Sequence, residues 1–88
     1  MNERKRVLVV DDEEVSTEML ENSLAHFGYE VDTAKDGEEG LELIRSGRYQ
    51  MVVSDWDMPG MQGDELCRRV REGHRSGYIY FVLLTSHG

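Results

Sequence analysis

Apolar residues fall along this chain in short runs and helical stripes that alternate. Val7-Leu8-Val9-Val10 is wholly apolar and mostly β-branched, which predicts a strand buried on both faces, as in a parallel sheet covered by helices. Asp11-Asp12-Glu13-Glu14 follows at its carboxyl end. From about Val15 to Phe27, Leu20, Leu24 and Phe27 recur at helical spacing with Met19 beside them, so one face is apolar. Gly28 is placed to stop that helix in the left-handed conformation. Tyr29, Val31 and Thr33 alternate with Glu30 and Asp32, the pattern of a strand wet on one face at a sheet edge. Asp36 is the candidate N-cap of a second helix, Glu38 to Ser46, with Leu41 and Ile44 inward and Gly47 at its end.

Met51-Val52-Val53-Ser54 suits a third buried strand and runs straight into Asp55; Asp57 follows, and Pro59-Gly60 breaks the chain into a loop. A third helix, Asp64 to about Glu72, turns Leu66, Cys67 and Val70 inward. A polar turn from Gly73 to Gly77 leads to a fourth strand, Tyr78 to Leu84, which ends in Thr85-Ser86. The order β-α-β-α-β-α-β with short loops predicts an α/β fold, a parallel sheet wound by right-handed crossovers. All carboxyl ends of such a sheet share one edge, where open α/β sheets place their ligands. Asp11-Asp12, Asp55 and Thr85-Ser86 therefore converge on one crevice if the first, third and fourth strands are neighbours.

Composition narrows the functions that fit. With 88 residues the chain is one small domain, and its net charge of −8 argues against direct binding of nucleic acid or of an anionic membrane. Cys67 is the only cysteine, so no internal disulfide forms and a reducing cytoplasm is expected. The four apolar residues Val7 to Val10 are too few for a signal-peptide core or a membrane span. No G-x-G-x-x-G follows the first strand, which removes a dinucleotide site of that kind.

Taken singly, the polar tips have structural explanations. Asp11 and Asp12 could cap the first helix and favour its positive end, Asp55 could cap its own loop, and Thr85 could simply end a strand. Together they change the picture, because three carboxylates near one point repel unless a cation joins them, and hard oxygen ligands suit Mg²⁺. An ionised Asp55 could then attack a phosphoryl group in line and become an aspartyl phosphate. The metal would offset charge on the oxygens, and the Thr85 hydroxyl and backbone N–H groups would donate to them.

These residues carry a family resemblance. Val9-Val10-Asp11-Asp12-Glu13, the segment Asp55-Trp56-Asp57-Met58-Pro59-Gly60-Met61-Gln62-Gly63, the helix opening Asp36-Gly37-Glu38-Glu39-Gly40-Leu41 and the apolar strand closing on Thr85 resemble a response-regulator receiver domain of two-component signalling. The resemblance implies a flavodoxin-like, doubly wound sheet of strand order 2-1-3-4 with three helices. It implies that Asp55 is the phosphoacceptor, that Asp12, Asp55 and the backbone carbonyl of Asp57 ligate Mg²⁺, and that Asp11 acts through water. Thr85 would be the switch hydroxyl and Ser86 the small residue beside the phosphoryl group. Asp57 and His87 match positions that tune dephosphorylation, and Trp56 borders the site. A histidine kinase or phosphotransfer protein is the implied donor, and the module catalyses at most its own phosphorylation and dephosphorylation.

A full receiver carries a fourth helix, a fifth strand opening on a lysine and a fifth helix, and the 88 residues end before all three. Residues 1–88 thus read as a single partial receiver domain, in which phosphorylation is expected to be weak or short-lived without that lysine. The fourth strand is expected to present an unpaired apolar edge through which copies self-associate. Two other functions compete. Met51 to Asp57 also resembles the strand-Asp-x-Asp opening of haloacid-dehalogenase-type phosphatases, although the Asp11-Asp12 pair, Met58-Pro59 and the short chain speak against that. A receiver-like interaction module that is never phosphorylated is the other.

Overall fold

A computed structural model describes residues 5–73 and 78–84. Its elements are β1 (Arg6–Val10), α1 (Glu14–His26), β2 (Glu30–Ala34), α2 (Gly37–Ile44), β3 (Met51–Asp55), α3 (Gly63–Gly73) and β4 (Tyr80–Leu84). The strands form one parallel sheet in the order β2-β1-β3-β4, the expected flavodoxin-like winding. The reversal of direction between β2 and β3 puts α1 on one face and α2 with α3 on the other, given right-handed crossovers. The main core lies on the α2–α3 face. Leu8, Val10 and Val52 meet Leu41, Ile44, Leu66 and Val70 there, closed by Tyr49, Met58, Met61 and Ile79.

Local signals act as the sequence implies at several joints. The Asp36 carboxylate accepts a hydrogen bond from Glu39 N at 2.8 Å, capping α2. Gly28 takes a φ of +95°, the left-handed conformation that ends a helix cheaply only at glycine. β1 is buried from Val7 through Val10, as its unbroken apolar run requires.

Four expectations need correction. No residue of α1 is buried, and Met19 and Phe27 are 66% and 76% exposed, because α1 covers only the β2–β1 half of its face. On β2 the wet position is Thr33, while Asp32 is half-buried. Asp32 accepts a hydrogen bond from the Tyr49 hydroxyl at 2.7 Å and pairs with Arg6 at 3.4 Å, so its carboxylate is held by protein partners although its side chain stays partly exposed. Helix α2 stops at Ile44, two residues short of Ser46, since the backbone already tightens at Ser46 N to Leu43 O. Cys67 sits at the margin of the core and is half-buried, not fully inward.

On the α1 face, cover fades across the sheet. Val7 and Val9 are fully buried and Val53 is 7% exposed, whereas Val82 is 39% exposed on β4, the next strand in the same register.

Candidate functional site

The site is set by register. Val10 lies opposite Ser54, so the next residues, Asp11 and Asp55, come level at the carboxyl edge of adjacent strands. Asp55 in turn lies opposite Leu84 of β4. Backbone bonds fix these tips: Asp11 N donates to Ala34 O at 3.1 Å, and Trp56 N donates to Leu84 O at 2.8 Å. Ser54, fully buried, donates its hydroxyl to Asp55 O at 2.9 Å.

One carboxylate oxygen from each of Asp11, Asp12 and Asp55 lies within 4.8 Å of the other two. Asp11 and Asp55 are half-buried and Asp12 is exposed, so the cluster opens to solvent on one side. Asp11 Oδ1 accepts from Glu13 N at 3.0 Å, which aims that carboxylate. Burial pushes the Asp11 carboxyl above its usual value, and the charges of Asp55, Asp12 and Glu13 add to the shift against the bond from Glu13 N. Among the described residues none of the three carboxylates is in an ion pair, and their mutual repulsion at this spacing is what a divalent cation corrects. Three hard oxygens open to water fit Mg²⁺, which keeps several waters and takes few protein carboxylates.

Asp57 is exposed in the following loop, and its N–H reaches Asp55 Oδ1 only at a long 3.5 Å. Trp56 is 44% exposed beside the cluster. Met58 and Met61 are buried and pin the loop to the core beside α2. Thr85, Ser86, His87 and the turn at 74–77 lie outside the described residues.

Sequence patterning missed Gly63. Its N–H donates to Trp56 O at 2.8 Å, and any Cβ there would collide with the Asp55 carbonyl oxygen and come within 2.8 Å of Leu83 Cδ2. Only a residue without a side chain lets α3 start so close behind the nucleophile candidate.

The response regulator receiver domain family model matches residues 7–88. This chain belongs to that family. The receiver is 39% identical over 80 residues to the transcriptional regulatory protein AfsQ1 of Streptomyces coelicolor, a match over 91% of this chain and 34% of AfsQ1. It thus spans about a third of that relative's length. Among solved structures, chemotaxis protein CheY4 of Vibrio cholerae superposes with a TM-score of 0.89 at 34% identity, over 98% of this chain and 72% of that one. TrrA of Thermotoga maritima, 42% identical, gives a TM-score of 0.87 in its complex with Mg²⁺ and BeF, over 96% of this chain and 71% of TrrA. TrrA has also been solved bound to the histidine kinase ThkA, with a TM-score of 0.85 to the receiver. Among the receiver's described residues no helix is long and apolar enough to cross a membrane.

Proposed function

We propose that the receiver accepts a phosphoryl group on Asp55 from a histidine kinase or phosphotransfer protein, in a Mg²⁺-dependent reaction. One observation carries this: the carboxylates of Asp11, Asp12 and Asp55 gather at one sheet edge within 4.8 Å, against their own repulsion. The likeness to TrrA, solved with Mg²⁺–BeF and with a histidine kinase, supports both the ion and the class of donor.

Asp55 Oδ attacks phosphorus on the side opposite the donor nitrogen; the new O–P bond forms as the donor's N–P bond breaks. Asp12, Asp55 and the Asp57 carbonyl would hold Mg²⁺ directly, and Asp11 through a water. Bound there, the ion offsets charge on the carboxylate and phosphoryl oxygens. Asp11 is oriented by Glu13 N, so it can hold that water without turning away. The buried Ser54 hydroxyl and the Gly63 N–H fix the backbone on either side of the nucleophile, which keeps the attacking oxygen in place. Thr85 is the proposed hydroxyl partner of the phosphoryl group, Ser86 the small residue beside it, and Asp57, Trp56 and His87 the residues that modulate its lifetime. The added charge of roughly one to two units then biases the loops around Asp55. The module signals in the cytoplasm rather than turning over a metabolite.

Fluorescence of Trp56, the only tryptophan, reports on the site directly. Mg²⁺ followed by beryllofluoride should each change it in the wild type. Neither should do so in Asp55→Asn at the same concentrations. An unchanged response in the variant would remove Asp55 from the role.

A further inference from the structure

We propose that the Ser16 hydroxyl, by holding the Glu13 carboxylate, keeps a fourth acidic group out of the Asp11–Asp12–Asp55 cluster and so sets its preference for Mg²⁺ over Ca²⁺. This rests on the reading of that cluster as a Mg²⁺ site and adds a residue that decides which cation it takes.

Glu13 follows Asp11 and Asp12 directly in the chain, yet the carboxylates that gather within 4.8 Å are those of Asp11, Asp12 and Asp55. The Glu13 backbone belongs to the site. Its N–H donates to Asp11 Oδ1 at 3.0 Å, and its carbonyl accepts from Thr17 N at 3.1 Å and from the Thr17 hydroxyl at 2.9 Å. The side chain is held elsewhere. The Ser16 hydroxyl donates to Glu13 Oε1 at 2.7 Å, the length of a hydroxyl bonded to an ionised oxygen. Glu13 is the N-cap of α1, but its carboxylate caps no N–H of the first turn, which leaves it to Ser16. It is exposed, and among the described residues it is in no ion pair. The clasp on this carboxylate is therefore one hydroxyl.

Once released, the side chain has a short way to go. The Glu13 N–H already touches Asp11, and the Glu13 charge already bears on the Asp11 carboxyl. With the backbone tied at both its N–H and its carbonyl, only side-chain torsions need to change. The number of carboxylates separates the two ions. Mg²⁺ takes about six ligands at roughly 2.0–2.1 Å and keeps several waters, whereas Ca²⁺ takes about six to eight oxygens at roughly 2.3–2.6 Å, bidentate carboxylates among them. Three short aspartates leave room for water and suit Mg²⁺. A fourth carboxylate on a longer side chain raises the count of protein oxygens and favours the larger ion.

Trp56, beside the cluster and 44% exposed, reports each ion as it is added, and the rise in thermal midpoint with each ion gives a second reading. Ser16→Ala removes the clasp and leaves a better helix former in α1, so the variant folds. Its Ca²⁺ affinity should rise about fivefold or more, because Glu13 is free to join the site. Its Mg²⁺ affinity should change less than about twofold, since the Glu13 charge is near the cluster in either position and Mg²⁺ keeps its waters. Adding Glu13→Gln to Ser16→Ala should restore the wild-type ratio of the two affinities. An unchanged ratio in Ser16→Ala overturns the proposal. So does a gain in Ca²⁺ affinity that persists in the double variant, because the hydroxyl would then act without Glu13. Failure of the underlying site looks different: the Mg²⁺ response would be missing from the wild type or would survive in Asp55→Asn, and both readings would fall together.

Discussion

The acidic cluster should destabilise the receiver until a cation fills it, and Asp55→Asn measures by how much. At 4.8 Å two unit charges repel by about 0.9 kcal/mol in water and about 3.5 kcal/mol at an effective dielectric of ~20. Asp12 is exposed and the other two are half-buried, so the water limit is the nearer one. Asp55 has two such neighbours, and both contacts vanish on unfolding because they join β3 to the end of β1. Asparagine keeps the oxygen that accepts from Asp57 N, so little else changes. In chelator at low salt, the variant should be more stable than the wild type by about 2 kcal/mol. For a chain this small, with a urea m-value of about 1 kcal/mol/M, the midpoint should rise by roughly 1 to 2 M. Added Mg²⁺ should then raise the wild-type midpoint and leave the variant nearly unmoved. A variant equal to or less stable than wild type in chelator would show that the carboxylates are not strained together, and the metal reading would lose its physical basis.

Other substitutions test the frame around the site. Gly63→Ala should cost about 1 to 3 kcal/mol by thermal melt and weaken the beryllofluoride response, since the new methyl meets the Asp55 carbonyl; wild-type stability would refute the close approach. Asp36→Ala should cost about 1 kcal/mol through the lost cap on Glu39 N, again by melt. Tyr49→Phe removes the hydroxyl that donates to Asp32 and should cost about 1 kcal/mol near neutral pH. The Tyr49 phenol is pushed up to about 12 by burial and by its bond to Asp32, against 10.0 for a free phenol. A folded value above the unfolded one means that this contribution is intact below pH 10 and is lost as pH rises from 10 to 12. Urea melts should show the wild type losing stability over that window and Tyr49→Phe not showing the loss.

The winding of the sheet and the meeting of Asp11, Asp12 and Asp55 were legible because strand runs buried on both faces announce themselves and the acids sit directly at their ends. Where the sequence misled, a tertiary partner decided. Asp32 reads as a solvent position by alternation, but Tyr49 and Arg6, distant in sequence, hold its carboxylate. Phe27 and Met19 read as core by spacing, yet no neighbour covers that side of α1 among the described residues. Met58 and Met61 lie in a loop with no periodicity to mark them, although both are buried. Gly63 is needed for a close approach between backbones, which no pattern of apolar residues encodes.

Phosphoryl transfer itself is the most direct test of the central claim. The receiver is incubated with acetyl phosphate and Mg²⁺, and the intact mass and peptide map are followed with time. A single phosphoryl group on Asp55, absent in chelator and absent in Asp55→Asn, is the expected result. A label that persists in Asp55→Asn, or that forms equally well without a divalent ion, would contradict it.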